Sequence, residues 1–221
     1  MQTICFYSTK GGCGKTTLAA HLAVEAERQG AGPVAVMDAD PQASLARWWN
    51  QREADTPAFI QTTLAEMPKQ LAALESAGVK LVMIDTAGAD ISQSRAIIRL
   101  ADLVVVPSRP SPLDLGTLGT TIGTVEAEAK PLIFVLNAVT PRTRISNQAI
   151  LALSQHGPVG AILHQRTDYA ASMTDGRVAG ELDPTSRSSE EIQALWKSVS
   201  DALRKQVTKR SSKLIEVEVL A

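Results

Sequence analysis

The amino-acid sequence predicts an α/β fold, a mostly parallel twisted sheet with helices on both faces. Three observations predict it. Short, continuous apolar runs recur along the chain and alternate with stretches of helical spacing, the pattern of strands covered on both sides. The first run leads through a glycine-rich turn into a helical stretch. The later runs end on Asp38, Asp85, Pro107 and Asn137, so the polar residues collect where ligands bind in such sheets, beyond the carboxyl ends of the strands.

In chain order, Ile4 to Tyr7 reads as a buried first strand, and Leu18, Leu22 and Ala26 fall on one helical face. Val34 to Met37 is a second strand, closed by Asp38-Ala39-Asp40-Pro41, and a helix carrying Leu45, Trp48 and Trp49 follows. Ala58 to Thr62 reads as a short strand, and Met67, Leu71 and Leu74 mark a helix stopped near Gly78. Lys80 to Ile84 is a strand ending at Asp85, and Ile91 to Leu100 is helical. Leu103 to Val106 and Leu132 to Leu136 are further strands, and Val159 to Leu163 is the last. Ile192, Leu195, Trp196, Val199 and Leu203 give a helical stripe that packs a final helix on the sheet. The chain divides into one domain over 1–206 and a tail over 207–221, basic at first and then mixed.

A length of 221 residues, 44% of them hydrophobic and 20% charged, supports one sizeable core. The formal net charge of −1 supplies no whole-molecule attraction to nucleic acid, so any such contact must come from a local patch. Cys5 and Cys13 sit on the first strand and in the glycine-rich turn. Their number and spacing suggest neither disulfides nor a zinc site, which fits a reducing cytoplasm. No apolar run is long enough to span a bilayer.

The organising stretch is Ser8-Thr9-Lys10-Gly11-Gly12-Cys13-Gly14-Lys15-Thr16-Thr17. Strand, glycine-rich turn and helix together make a phosphate loop. Glycines let successive backbone N–H groups point inward, and the loop ends at the positive end of a helix. In a loop of this kind Lys15 reaches the β- and γ-phosphates of ATP, and the Thr16 hydroxyl ligates Mg²⁺. Asp85, at the end of an apolar strand, is placed to hold the same ion, directly or through water; the other reading is a cap for the following segment. Asp38 and Asp40 stand too close to ionise freely without a cation between them.

With its second lysine, Lys10-Gly11-Gly12-Cys13-Gly14-Lys15-Thr16-Thr17 resembles the deviant phosphate loop (deviant Walker A) of the ParA/MinD group of ATPases. Asp38-Ala39-Asp40-Pro41-Gln42-Ala43-Ser44-Leu45 looks like ParA-type partition ATPases, and Pro107-Ser108-Arg109-Pro110-Ser111-Pro112-Leu113-Asp114 is similar to the small ParF-like kind. The resemblance implies a weak, Mg²⁺-dependent ATP hydrolase that forms a homodimer with ATP. It also implies non-specific DNA binding, association with the nucleoid in the cytoplasm, and stimulation by a small centromere-binding partner of the ParB or ParG kind. It implies that Asp40 positions or activates the attacking water and that Asp38 supports the metal region. It implies too that Lys10 reaches the nucleotide of the partner subunit, an arginine-finger role. Asn137 resembles the family's adenine-side asparagine, a turn asparagine being the other reading, and the region 181–184, with Pro184, is expected to close over the base. The chain departs from many relatives at Ala87-Gly88, where two prolines are usual, and at Cys13. It begins directly at the first strand, so the helix-turn-helix region of larger ParA proteins is not expected.

Between Trp196 and Lys213 there are six basic residues against one acid, Asp201. Lys197, Arg204, Lys205, Lys209 and Arg210 are therefore a candidate salt-sensitive DNA contact, the plainer reading being a solvated helix face. Lys213 to Ala221 alternates rather than showing a helical apolar face, which argues against a MinD-like amphipathic anchor. An electron-transfer protein like the nitrogenase iron protein would need cysteines at a dimer axis, and both cysteines are committed elsewhere. A nucleotide-dependent scaffold without turnover remains a separate reading, which ATP hydrolysis measured with and without DNA distinguishes.

Overall fold

The computed structural model describes residues 1–88 and 90–219, with side chains through residue 208. In chain order the elements are β1 (Gln2–Phe6), α1 (Lys15–Arg28), β2 (Val34–Ala39), α2 (Ser44–Asn50), β3 (Ala58–Ile60), α3 (Met67–Ser76), β4 (Leu81–Thr86), α4 (Ile91–Leu100) and β5 (Leu103–Ser108). They continue with α5 (Pro112–Gly116), α6 (Leu118–Glu126), β6 (Leu132–Val139), α7 (Arg144–Ser154), β7 (Val159–His164), α8 (Thr167–Ser172), α9 (Ala179–Leu182) and α10 (Arg187–Val219). The seven strands form one sheet in the order β3-β2-β4-β1-β5-β6-β7, and every pairing is parallel. The parallel sheet expected from the apolar runs is therefore present, with no antiparallel strand among the described residues.

Strand alternation sorts the core into two faces. Ile4 and Phe6 of β1, Val34 and Val36 of β2 and Met83 of β4 pack with α1 and α10 on one side. Cys5, Met37, Ile84, Val104 and Phe134 pack with α3, α4, α6 and α7 on the other. Both faces of the sheet are dry, which is why its strands read as unbroken apolar runs. The stripe Ile192, Leu195, Trp196, Val199 and Leu203 is buried against the first face, as its helical spacing predicts.

Helix α10 runs through the 206/207 boundary to Val219, so the alternating segment after Lys213 is carried as helix. Helices α5, α8 and α9 have only five, six and four residues, and the sequence identified none of α5 to α9 individually.

The central strand β1 feeds the glycine-rich loop, with β4 on one side and β5 on the other. The polar ends of β2, β4, β5 and β6 therefore surround that loop at one edge of the sheet, where the strand order reverses and crevices form.

Candidate nucleotide site

Gly14 has φ 107° and its carbonyl accepts the Leu18 N–H that begins α1. Gly12 is also left-handed, at φ 72°. These backbone values turn the chain sharply before the helix and leave loop amides aimed at the space above. The Lys15 side chain is buried and folds back over the loop, donating to Ser8 O at 3.4 Å and Lys10 O at 3.3 Å. Cys13 is buried, and its Sγ donates to Lys10 O at 3.2 Å. The small thiol thus fills the inside of the loop.

The loop is held from both neighbours. Asn137 on β6 donates from Nδ2 to Cys13 O at 2.8 Å. Thr9 N donates to Thr121 Oγ1 at 3.2 Å, and Thr9 and Thr121 share a hydroxyl contact of 2.9 Å, which fixes the loop's entry to α6. On the β4 side Gly88 lies directly on the loop: a Cβ there would stand 2.3 Å from Ser8 O. The absence of a side chain at Gly88 is what permits this approach.

Beneath the loop, Thr16 Oγ1 donates to Asp85 Oδ2 at 2.5 Å. The other oxygen, Asp85 Oδ1, is buried without a hydrogen-bond partner among the described residues. Burial pushes the Asp85 carboxyl up to about 7; the Thr16 bond and Lys15 oppose that shift, while Asp38 and Asp40 add to it. An orphaned carboxylate oxygen next to a threonine hydroxyl is a donor pair that suits a hard divalent cation. Asp38 is engaged otherwise: Oδ1 accepts from Asp40 N at 3.0 Å and Oδ2 from Ala46 N at 2.9 Å, which holds the start of α2. Its visible work is that of a turn and cap carboxylate. Asp40 accepts from Gln42 N at 2.9 Å through Oδ1.

A cavity of about 940 Å³ opens over these groups. Gly11, Gly12, Gly14, Lys15, Thr16, Thr17, Asp40 and Asn137 line it, as expected for a nucleotide site. Lys10, Cys13, Asp38, Asp85 and Pro184 do not line it. Pro184 is exposed in the turn after α9, and a wall that the sequence did not announce lines this side of the cavity. That wall comes from the end of β7 and from α8: His164, Gln165, Arg166, Tyr169 and Met173. Sequence reasoning missed these residues, although the rule that ligands lie beyond the carboxyl ends of strands pointed to the position just after Leu163.

The new wall is fastened to α10 by Glu191. Its carboxylate accepts from His164 N at 3.0 Å, His164 Nδ1 at 2.7 Å, Arg166 Nη2 at 2.6 Å and Tyr169 OH at 2.8 Å. Burial alone would raise the Glu191 carboxyl, but the bonds from Arg166, His164 and Tyr169 outweigh it and hold it below the usual range.

His21 on α1 braces the wall from inside. Nδ1 lies 2.8 Å from Thr17 O, Nε2 accepts from Ala179 N at 3.2 Å, and the ring meets Tyr169 edge-on at 5.3 Å. Accepting an amide proton requires a neutral imidazole, and burial lowers its pKa to about 4. Its contribution to stability is full above pH 6.5 and is lost as pH falls from 6.5 to about 4, because the unfolded chain takes the proton first. Asp85 contributes with the opposite sign, losing stability as pH rises from 3.8 to about 7. The difference in unfolding free energy between the wild type and His21→Gln isolates the histidine. We expect that difference to shrink with acidification by up to about 1.4 kcal/mol per pH unit inside the window. Denaturant titrations at several pH values check it, and a pH-independent difference would exclude a neutral buried His21.

The basic candidates stand elsewhere. Lys197 and Arg204 are exposed on α10 but share Asp201, at 3.5 and 2.5 Å. Lys205 is exposed and borders a cleft at the amino ends of β5 to β7, the sheet edge opposite the phosphate loop. The side chains of Lys209 and Arg210 lie outside the described residues. The pairing with Asp201 makes the patch less positive than the count of basic residues suggests.

Comparison with known proteins agrees with this geometry. Residues 4–178 match the model of the CobQ/CobB/MinD/ParA nucleotide binding domain. Maintenance of carboxysome distribution protein A from Halothiobacillus neapolitanus is 28% identical over 196 residues, covering 84% of this chain and 90% of that protein. Protein virC1 from Rhizobium rhizogenes is 29% identical over 236 residues, covering 93% of this chain and all of that protein. Among solved structures, Pyrococcus furiosus cell division ATPase MinD superposes with a TM-score of 0.76 at 17% identity, over 90% of this chain and 98% of that one, which shows the same fold. With most of its length matched and its phosphate loop in place, the chain belongs to the CobQ/CobB/MinD/ParA family of nucleotide-binding domains.

Proposed function

We propose that this chain is an ATP-driven positioning ATPase of the ParA kind. It binds ATP with Mg²⁺, dimerises face to face, holds DNA without sequence preference and hydrolyses ATP slowly until a cargo-bound protein stimulates it. The proposed cargo is a DNA partition complex, with a small centromere-binding protein as the stimulating partner. A second cargo class, a protein body, is favoured by the relative named for carboxysome distribution. The MinD-like membrane reading draws on the family, which includes MinD, and on likeness of fold; among the described residues no helix is long and apolar enough to cross a membrane.

The chemistry follows from the loop. Lys15 exchanges the carbonyls of Ser8 and Lys10 for the β- and γ-phosphates, and the amides of Gly11 to Thr17 complete the cradle. Thr16 Oγ1 and Asp85 Oδ1, which has no partner among the described residues, would hold Mg²⁺, with Asp38 supporting the region through its hold on α2. Bound there, Mg²⁺ neutralises charge on the phosphates. Asp40, on the cavity wall, positions the attacking water. Asn137 and the wall after β7 face the nucleoside. Lys197, Arg204, Lys205, Lys209 and Arg210 contact DNA phosphates.

The observation that carries this reading is the division of the two lysines: Lys15 lines the cavity and Lys10 does not. A cation five residues from the site lysine yet outside its own cavity is free to serve a second subunit's nucleotide. The test is Lys10→Ala. The variant is expected to bind ATP as the wild type does, to sediment as a monomer with ATP, and to shift DNA more weakly, since one basic patch lacks the avidity of two. Normal ATP-dependent dimerisation and turnover by Lys10→Ala would remove the proposal's main support.

A further inference from the structure

The geometry points to Arg109 as a second cationic ligand for the terminal phosphate of the nucleotide bound in its own subunit, a catalytic residue additional to the lysines. This rests on the nucleotide reading above and adds to it.

Three permanently charged cations line the cavity among the described residues: Lys15, Arg109 and Arg166. Their engagements differ. The Lys15 ammonium is held by the carbonyls of Ser8 and Lys10. The Arg166 guanidinium is neutralised by Glu191, with bonds of 3.1 and 2.6 Å from Nε and Nη2. For the Arg109 guanidinium no carboxylate, carbonyl or hydroxyl partner occurs among the described residues. It is exposed at the rim, a cation kept available at the mouth of a phosphate cradle.

Its backbone, by contrast, is fixed. Strand β5 is buried through Ser108, and Arg109 O accepts from Ser111 N at 2.8 Å. Ser111 then caps α5 by accepting from Asp114 N at 3.1 Å. Pro110 and Pro112 restrict the flanking dihedrals. The guanidinium thus swings from a stiff base, which lowers the entropy lost when it closes on an anion.

Position within the cavity selects the phosphate. The wall of Tyr169 and Met173, proposed to face the nucleoside, comes from the segment after β7, and Asn137 joins that side to Cys13 and Gly14. Arg109 leads instead into the segment that grips Thr9, at the loop's opposite end, through Thr117 O and Thr121. Asp40 and Asp90 line the same cavity, with Asp38 and Asp85 close by. A triphosphate entering among these carboxylates brings more negative charge than Lys15 and one divalent cation balance. A planar guanidinium with free donors matches the exposed oxygens of a terminal phosphate.

The test compares the wild type, Arg109→Ala, Arg109→Lys and Lys15→Ala, using Mg²⁺–ADP and Mg²⁺–ATP affinities by calorimetry and ATP hydrolysis in single turnover. Arg109→Ala is expected to bind ADP within about twofold of the wild type and to bind ATP roughly tenfold more weakly. Its single-turnover rate should fall on the order of 10²-fold, as when one preorganised donor to transition-state charge is removed. Arg109→Lys should recover part of the ATP affinity, since charge returns without the bidentate fork. Wild-type ATP affinity and rate in Arg109→Ala would overturn the assignment and leave a solvated arginine. Equal losses for ADP and ATP would overturn the terminal-phosphate position. Lys15→Ala separates the two levels: if it binds ATP like the wild type, the nucleotide reading itself fails, whereas a normal Arg109→Ala beside a non-binding Lys15→Ala overturns only the inference.

Discussion

Lys15→Ala is expected to remain folded and to lose ATP binding. The lysine is buried with its ammonium on two loop carbonyls, and no carboxylate forms an ion pair with it among the described residues. Removing it breaks no direct ion pair but takes away a cation that offsets the buried Asp85 carboxylate, so the melting temperature without nucleotide should move by only a few degrees and the Asp85 carboxyl should rise further. Bound ATP is different. Hydrogen bonds to charged groups contribute about 1.5–3 kcal/mol each, and contacts to two phosphates make the loss about 3–6 kcal/mol, roughly 10²–10⁴-fold in Kd. Calorimetry with Mg²⁺–ATP reads this directly. An affinity within twofold of the wild type would mean that the phosphates sit elsewhere.

Gly14→Ala is expected to damage both the loop and the fold. At φ 107° an L side chain is strained, and the new Cβ would stand 2.2 Å from Asn137 Nδ2. The asparagine can swing away, but only by releasing Cys13 O. Left-handed strain of about 1–2 kcal/mol plus a lost hydrogen bond of about 1 kcal/mol corresponds to a melting-temperature drop of roughly 4–10 °C for a domain of this size. ATP affinity should fall at least tenfold, because the amides at the start of α1 lose their aim. Adding Asn137→Ala should cost little more, since the contact it removes is already broken. Fully additive losses in thermal unfolding would show that Asn137 does not restrain the loop through Gly14.

The sheet was legible in the sequence because burial on both faces makes a strand a continuous apolar run. All seven strands fall where such runs occur, and even the three-residue β3 lies within the expected Ala58 to Thr62. The phosphate loop was legible because its geometry demands glycines: Gly12 and Gly14 adopt φ values that other residues resist. Helices α8 and α9 were not legible, having six and four residues and no amphipathic repeat. The wall they build was missed for the same reason. Tyr169 and Glu191 are brought together by tertiary packing, and nothing in their spacing announces a shared hydrogen bond. Gly88 could be seen as a departure from the usual prolines, but its contact with Ser8 is a matter of distance, which sequence does not carry.

The Glu191 hub also bears on the thermodynamics of ligand entry. Five donor atoms from His164, Arg166 and Tyr169 converge on one carboxylate without any ligand, so the rotamers of that wall are already restricted. Little ordering entropy is left to lose there. At the other end of the cavity, Lys15 must first break two carbonyl contacts. On the proposed placement, the nucleoside half of the ligand would meet a preorganised surface, while the phosphate half would bind by exchange. The gain at the phosphates is then what remains after the two carbonyl bonds of Lys15 are given up, and the rigid wall would serve as the template against which they are aligned.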